Sequence, residues 1–269
     1  PYNHFALLAE AWLKGRLDLG GPPPDYARGN DFAQYQGRWF VVFPAFPSVL
    51  LLPLVALAGQ AEAVADGRFF LMLAGLAPAV LFLVLEKLSR SGESKRSEVE
   101  NLLLSALFCF GSVYFFCSVQ GTVWFAAHTV AAVLMALYLL FALGAERPLL
   151  AGLCLALGFA TRTPLIFAAP LFVFEALRAT KLTEPRGAGL VQRYAVGRLS
   201  VMRVLFALPL AAVLGFGFWH NAARFGDPFE TGYRYLSIAW AGRIAKWGLF
   251  VYHYLARNLG VVLTSLPWF

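Results

Sequence analysis

GTVWFAAHTVAAVLMALYLLFAL, residues 121–143, is an unbroken apolar run that contains no Asp, Glu, Lys or Arg. A transmembrane helix needs about 20 consecutive apolar residues to cross the hydrocarbon core of a bilayer. The run has that length, so it predicts a helix that spans a membrane.

Similar apolar runs lie on both sides of this segment, at 69–86, 100–118 and 204–219, and each predicts a further span. The run 149–177 differs because Thr161-Arg162-Thr163-Pro164 interrupts it. It is either one kinked span or a hairpin of two short helices. The sequence therefore predicts an all-α, polytopic transmembrane bundle over 69–219.

Composition agrees with this class. Hydrophobic residues make up 59 % of the chain and charged residues 14 %, whereas soluble domains average about 45–50 % and about 25 %. The net charge of +7 does not indicate nucleic-acid binding, because the basic residues lie in short loops between apolar runs. The three cysteines show no metal-ligand spacing.

Loops 87–99 and 178–203 are rich in Lys and Arg, which is typical of cytoplasmic loops. If both are inside, 100–177 must contain four crossings, so 149–177 must be a hairpin. The regions expected outside are then 1–68, 118–122, 161–164 and 220–246.

The N-terminal region 1–38 is predicted to be an outer loop with an amphipathic juxtamembrane helix, since Phe5, Leu8, Ala9, Trp12 and Leu13 share one helical face. Three prolines predict that 39–57 is a broken segment that re-enters the membrane. Residues 220–269 should form an outer loop and an interfacial helix. The chain starts without Met and ends within an apolar stretch, so we expect a fragment of one membrane domain, 1–269.

No soluble-enzyme motif occurs, which argues against a nucleotide site. Asp31 is the first candidate for a general base and Asp18 the second, the alternative for each being a solvated loop acid. Arg162, at predicted membrane depth, would bind phosphate or else snorkel or pair with a carboxylate. The other candidate substrate-binding residues are His128, Arg224, Arg38 and His4. The four histidines have no metal-ligand spacing, so a divalent metal is without support.

Five stretches, 2–18, 35–39, 43–47, 158–164 and 221–233, resemble the GT-C glycosyltransferases, especially bacterial relatives of protein O-mannosyltransferases and aminoarabinose transferases. Tyr2-Asn3-His4 through Leu17-Asp18 is similar to that family's first outer loop, and Phe43-Pro44-Ala45-Phe46-Pro47 to its proline-bearing segment. The resemblance implies inverting transfer of a sugar from a polyprenyl-phosphate donor on the periplasmic face of the bacterial inner membrane. Its partners would be the lipid-linked donor and membrane lipids.

Two departures from the family pattern concern the acidic residues that the family carries in this region. The family places an acidic residue just after its first membrane helix, which here would precede Pro1. It also often has an acid–lysine pair where this chain has Val42-Phe43. The alternative hypotheses are a transporter or flippase for a lipid or small solute and a non-catalytic membrane scaffold. A transporter would need inverted repeats and polar residues around a midplane cavity, which the sequence does not display.

Overall fold

The computed structural model describes residues 2–27, 30–181, 195–248 and 251–265, which form twelve α-helices, one β-hairpin and several short 3₁₀ turns. The helices are α1 (His4–Leu13), α2 (Phe46–Ala58), α3 (Asp66–Met72), α4 (Leu76–Arg90), α5 (Glu98–Phe110), α6 (Val113–Gln120), α7 (Val123–Ala142), α8 (Pro148–Phe159), α9 (Ala169–Thr180), α10 (Val196–Phe225), α11 (Ala241–Trp247) and α12 (Tyr252–Thr264). The strands are β1 (Phe32–Tyr35) and β2 (Arg38–Val41).

Within these ranges, four helical stretches are long and apolar enough to cross a membrane: Asp66–Arg90, Val123–Ala145, Thr163–Thr180 and Val196–Phe225. The expected span at 100–118 corresponds to the pair α5 and α6, which together are long and apolar enough for one span but are bent by 52°. Gly111 ends α5 and Ser112 caps α6, so the bend falls where the helical hydrogen bonds are interrupted. The arrangement supports the polytopic membrane class that the apolar runs predict.

The central element is α7. Half of its most apolar window is buried in the protein, against 17 % for each of the other three candidate spans. Its first half packs in a core with α1, α2 and β1, and its second half packs in another core with α8, α9 and α10. In the second core the rings of Phe172 and Phe206 stack at 4.1 Å. Large apolar side chains elsewhere, such as Phe167 and Phe110, point outward, as lipid-facing residues do.

Segment 149–177 is a hairpin rather than one kinked span. At the turn, Gly158 of α8 packs against the side chain of Leu165. At the far end, Glu175 of α9 accepts a hydrogen bond from the backbone nitrogen of Gly144, just before α8, at 2.6 Å. The chain therefore returns to the end of the bundle from which α8 started.

The loops gather at two opposite ends. At one end Lys87 donates to the carbonyl of Leu143 at 2.8 Å and to Glu146 at 2.9 Å, and Arg178 pairs with Glu93. At the other end the backbone nitrogen of Phe46 donates to the carbonyl of Ala160 at 3.0 Å. This second end, which we call the site end, collects the loops that the charge pattern groups together as outer.

Two expectations for the first 57 residues need correction. Residues 32–41 form an antiparallel hairpin, with Phe32 opposite Val41, so 39–41 belong to a strand and not to a re-entrant segment. Its turn uses Gln36 and Gly37 at φ 48° and 75°, both in the left-handed region that tight hairpin turns require. Helix α2 begins only at Phe46, and it is too short to be one of the candidate spans.

Helix α1 forms where its apolar spacing predicts it, but it does not lie on the surface. Seven of its residues are buried, and the first of them, His4, is completely so. The reason is that its polar N-terminus finds hydrogen-bonding partners inside the protein, described below with the site. By contrast, α11 and α12 contain no buried residue.

Helices α8 and α10 approach at backbone contact through Gly152. A Cβ atom there would lie 2.1 Å from the Phe206 carbonyl oxygen and 2.9 Å from Pro209 Cγ. Gly152→Ala is therefore expected to lower the free energy of unfolding by about 1–3 kcal/mol, the usual cost of overpacking. Denaturant titration in detergent measures this.

The matched control is Gly215→Ala in the same helix pair, because a Cβ on Gly215 of α10 would meet nothing within 4 Å. Alanine is the better helix former by about 1 kcal/mol, so this variant should be as stable as the parent or more so. Equal effects of the two substitutions would contradict the close packing of α8 on α10.

Candidate functional site

The candidate site begins with His4 and Asp31 at the site end. His4 is the first residue of α1, and its ring stacks on Phe32 at 4.8 Å. Its Nε2 atom lies 3.3 Å from Asp31 Oδ2, without the alignment of a hydrogen bond. The Asp31 side chain is 22 % exposed. The pair thus combines a fully buried imidazole with a carboxylate that a substrate can reach.

Tyr26 lies beside the other ring nitrogen of His4. Its hydroxyl donates to Asn3 Oδ1 at 2.8 Å and lies 3.5 Å from His4 Nδ1. Burial raises the pKa of Tyr26 to about 12, and the charges of Asp66 and Asp31 act in the same direction. The hydroxyl therefore stays protonated and keeps its place between Asn3 and His4.

Asp66 fixes the N-terminus of α1, although it is distant in sequence. Its carboxylate accepts hydrogen bonds from the backbone nitrogens of Phe5 at 2.7 Å and Ala6 at 3.1 Å. The side chain of Asn3, the residue before the helix, makes no capping bond. A carboxylate at this position satisfies free N–H groups and complements the helix dipole. Asp66 therefore positions the first turn of α1 and, with it, His4.

Two adjoining cavities open beside this cluster, and we call them together the apolar groove. They have volumes of about 280 and 500 Å³ and lie between the loop before α2, the α8–α9 turn and the end of α10. Each lining taken whole is mostly apolar, and four of the seven residues that line both cavities carry hydrogen-bonding side chains: Pro44, Phe159, Gly217 and, with such groups, Thr163, Asn221, Thr231 and Tyr233. The groove suits an elongated apolar ligand that carries one polar end.

Arg162 lines the larger cavity. Among the described residues no carboxylate lies within ion-pair distance of it. Tyr233 lines the same cavity as Arg162. Burial raises the pKa of Tyr233, while the charge of Arg162 lowers it and that of Asp31 raises it. The charges of both residues therefore act on the ionisation of the Tyr233 phenol. His128, exposed on α7, also lies within electrostatic range of Arg162.

Arg224 is buried behind the groove. It donates to the Val41 carbonyl at 2.8 Å, to Asn221 Oδ1 at 2.9 Å and to the His220 carbonyl at 3.3 Å. The bond to Val41 ties the end of α10 to β2, so Arg224 has a structural role beside the phosphate contact that the sequence suggests for it. Neighbouring His220 lines the smaller cavity, and its Nε2 has no hydrogen-bond partner within the described chain.

The structure does not bring Asp18 and Arg38 to the same place as Asp31. Asp18 accepts a hydrogen bond from the Gly20 backbone at 2.7 Å and lies 3.7 Å from the Arg38 guanidinium. Both line a separate cleft together with Arg16. Asp18 therefore lines this cleft, whereas Asp31 lines neither it nor the apolar groove. Of the two carboxylates considered as bases, only Asp31 has an imidazole beside it.

Sequence reasoning did not single out Tyr26 and Asp66, which hold α1 and His4. No local pattern marks either residue, because their partners lie 22 to 61 positions away. Within the described ranges, no group of three His, Cys, Asp or Glu side chains could hold a metal ion. The chain matches no family model, no curated protein and no solved structure.

Proposed function

We propose that the protein is a membrane glycosyltransferase that moves a sugar from a polyprenyl-phosphate donor to an acceptor hydroxyl. One observation carries the proposal: Arg162, with no carboxylate in ion-pair distance among the described residues, lies on the wall of an apolar groove, and Phe43 of the adjoining cavity packs at 5.6 Å against the ring of His4, the neighbour of Asp31. A lipid-linked donor needs apolar space for its chain, a cation for its phosphate and a base near the sugar. The site offers all three within one end of the bundle.

The donor would lie with its isoprenoid chain in the apolar groove and its phosphate at Arg162. A guanidinium binds phosphate through two parallel hydrogen bonds, and Arg162 has no competing carboxylate in the described ranges. Asn221, Thr163 and Tyr233 line the same cavity and can donate further hydrogen bonds. The sugar would then extend toward Asp31.

In the proposed reaction the acceptor hydroxyl gives its proton to the Asp31 carboxylate as its oxygen bonds to the anomeric carbon. The bond from that carbon to the phosphate oxygen breaks, and its electron pair leaves with the phosphate. Attack opposite the leaving group inverts the anomeric centre. Arg162 stabilises the charge that develops on the departing phosphate, and His4 positions the carboxylate from 3.3 Å.

The site end would face the periplasm of a bacterial cell, with the protein in the inner membrane. The support is the opposite end of the bundle, where Lys87, Arg90, Arg96, Arg147 and Arg178 gather around loop 87–99 and the start of α8. Lys and Arg concentrate in cytoplasmic loops. A donor with its sugar on the outer leaflet would then meet Asp31 directly.

Arg162→Gln is expected to raise KM for the lipid-linked donor by about 10- to 100-fold, because a hydrogen bond to a charged group contributes about 1.5–3 kcal/mol. The measurement is transfer of radiolabel from a panel of polyprenyl-phosphate sugars by the purified protein in liposomes. Arg68→Gln is the matched control, since Arg68 is exposed near the same end and lines neither part of the groove.

Equal losses in Arg68→Gln and Arg162→Gln would mean that only the overall charge matters. The glycosyltransferase proposal is wrong if the wild-type protein neither transfers nor hydrolyses any sugar of the panel, while it moves a lipid or solute across the liposome membrane. The transporter or flippase is then the function.

A further inference from the structure

A third cavity of about 530 Å³ lies at the site end, and we call it the arginine cleft. Its walls are the segment 15–18 after α1, the β1–β2 hairpin and the end of α10. Arg224 lines both this cleft and the apolar groove, so the two spaces are neighbours separated by one side chain. The proposed donor site makes no use of this cleft.

The cleft carries an excess of positive charge. Arg16, Arg38 and Arg224 line it, whereas Asp18 is its one acidic lining residue. That carboxylate already accepts the Gly20 backbone N–H at 2.7 Å and stands 3.7 Å from Arg38, too far for a hydrogen bond. Asp18 can therefore balance one arginine, and two positive charges remain on the walls.

Arg16 is held in the cleft with one donor unused. Its Nε atom is buried and has no hydrogen-bond partner in the described residues. Its guanidinium lies directly over Gly20, where a Cβ would fall 1.6 Å from Nη1. Buried polar atoms in folded proteins nearly always have a partner, but this one has none among the described residues, and Arg16 lines the cleft.

We propose that the arginine cleft binds a phosphomonoester on a sugar-sized polar body, either as a soluble molecule or as the headgroup of a lipid. Its volume falls in the range of about 300–1,000 Å³ that is usual for small-molecule sites. Arginine forks fit phosphate oxygens better than a hydroxyl group. This inference goes beyond the proposed function, because it requires binding only and no sugar transfer.

The test uses the full chain in nanodiscs of zwitterionic lipid and isothermal titration with glucose 6-phosphate and with glucose. The phosphate should bind at least about 10-fold more tightly than the neutral sugar, by the 1.5–3 kcal/mol of a charged hydrogen bond. Arg16→Gln and Arg38→Gln should each weaken phosphate binding by a similar factor. Arg68→Gln, which removes an exposed charge outside the cleft, should leave it unchanged.

Arg38 is 71 % exposed, so its replacement does not threaten the fold and keeps the test decisive if Arg16→Gln is unstable. Gly20→Ala adds a second check, because it displaces the Arg16 guanidinium without changing the charge. It should weaken binding several-fold. If glucose and glucose 6-phosphate both bind and do so with equal affinity, or if Arg68→Gln loses as much phosphate binding as Arg38→Gln, the proposal is overturned.

A second arm distinguishes the sources of the phosphate. Nanodiscs that contain phosphatidate should compete with glucose 6-phosphate if the ligand is a lipid headgroup, and should not compete if it is soluble. The proposal fails if glucose 6-phosphate does not bind and the wild-type protein and Arg38→Gln retain phosphatidate equally. None of these measurements requires glycosyl transfer, so failure of the proposed function would be seen separately.

Discussion

Asp31→Asn is expected to lower kcat for sugar transfer by a factor of about 10² to 10⁴, the usual contribution of a general base. The amide cannot take the acceptor proton, although it has nearly the shape of the carboxylate. Because Asp31 is not placed at the phosphate, KM for the lipid-linked donor should change little. This separates it from Arg162→Gln, for which the effect on KM should dominate. Steady-state kinetics at several donor concentrations measures both.

The matched control is Asp25→Asn, since Asp25 is an exposed carboxylate six residues earlier in the same region. It should transfer sugar at the wild-type rate. Asp18→Asn tests the other base that the sequence suggests, and the structure places Asp18 in the arginine cleft. Its kcat should stay within a few-fold of wild type. A large loss of kcat in Asp18→Asn, together with a normal kcat in Asp31→Asn, would mean that Asp18 and not Asp31 is the general base.

The candidate spans could be predicted from the sequence because run length and charge are properties of the chain itself. The segments 69–86 and 204–219 lie within the long apolar helices Asp66–Arg90 and Val196–Phe225, and 121–143 agrees with Val123–Ala145 to within two residues at each end. The hairpin in 149–177 is the alternative that the two basic loops favour if both lie on one side of the membrane. Helices α8 and α9 form this hairpin, although α8 is shorter than the candidate spans. The 52° bend between α5 and α6 was not predicted, although Gly111-Ser112 marks it.

The site was harder to predict because its contacts join distant segments. Asp31 and His4 could be named as polar residues of one region, but their 3.3 Å approach depends on Phe32 stacking over the imidazole. The amphipathic reading of α1 assumed that a polar face must meet water. In the structure, Tyr26 lies beside His4 and Asp66 accepts the backbone N–H groups of the first turn, so a helix with surface-like spacing is buried.

Asp66→Ala is expected to lower the free energy of unfolding by roughly 2–4 kcal/mol, because each buried donor left unpaired costs about 1–3 kcal/mol. The donors are the backbone nitrogens of Phe5 and Ala6, and Asp66 itself is 1 % exposed. Denaturant unfolding in detergent measures the loss. Glu62→Ala, an exposed acid four residues earlier, is the control and should change stability by less than about 0.5 kcal/mol.

Because Asp66 fixes the first turn of α1, its loss should also displace His4 from Asp31. Activity per folded molecule should then fall in Asp66→Ala and recover in part in Asp66→Asn, whose amide oxygen can still accept one of the two N–H groups. A purely structural Asp66 would lower the folded fraction in both variants and leave kcat of the folded protein unchanged. That result would mean that the position of His4 does not matter for Asp31, and the imidazole would lose its proposed role.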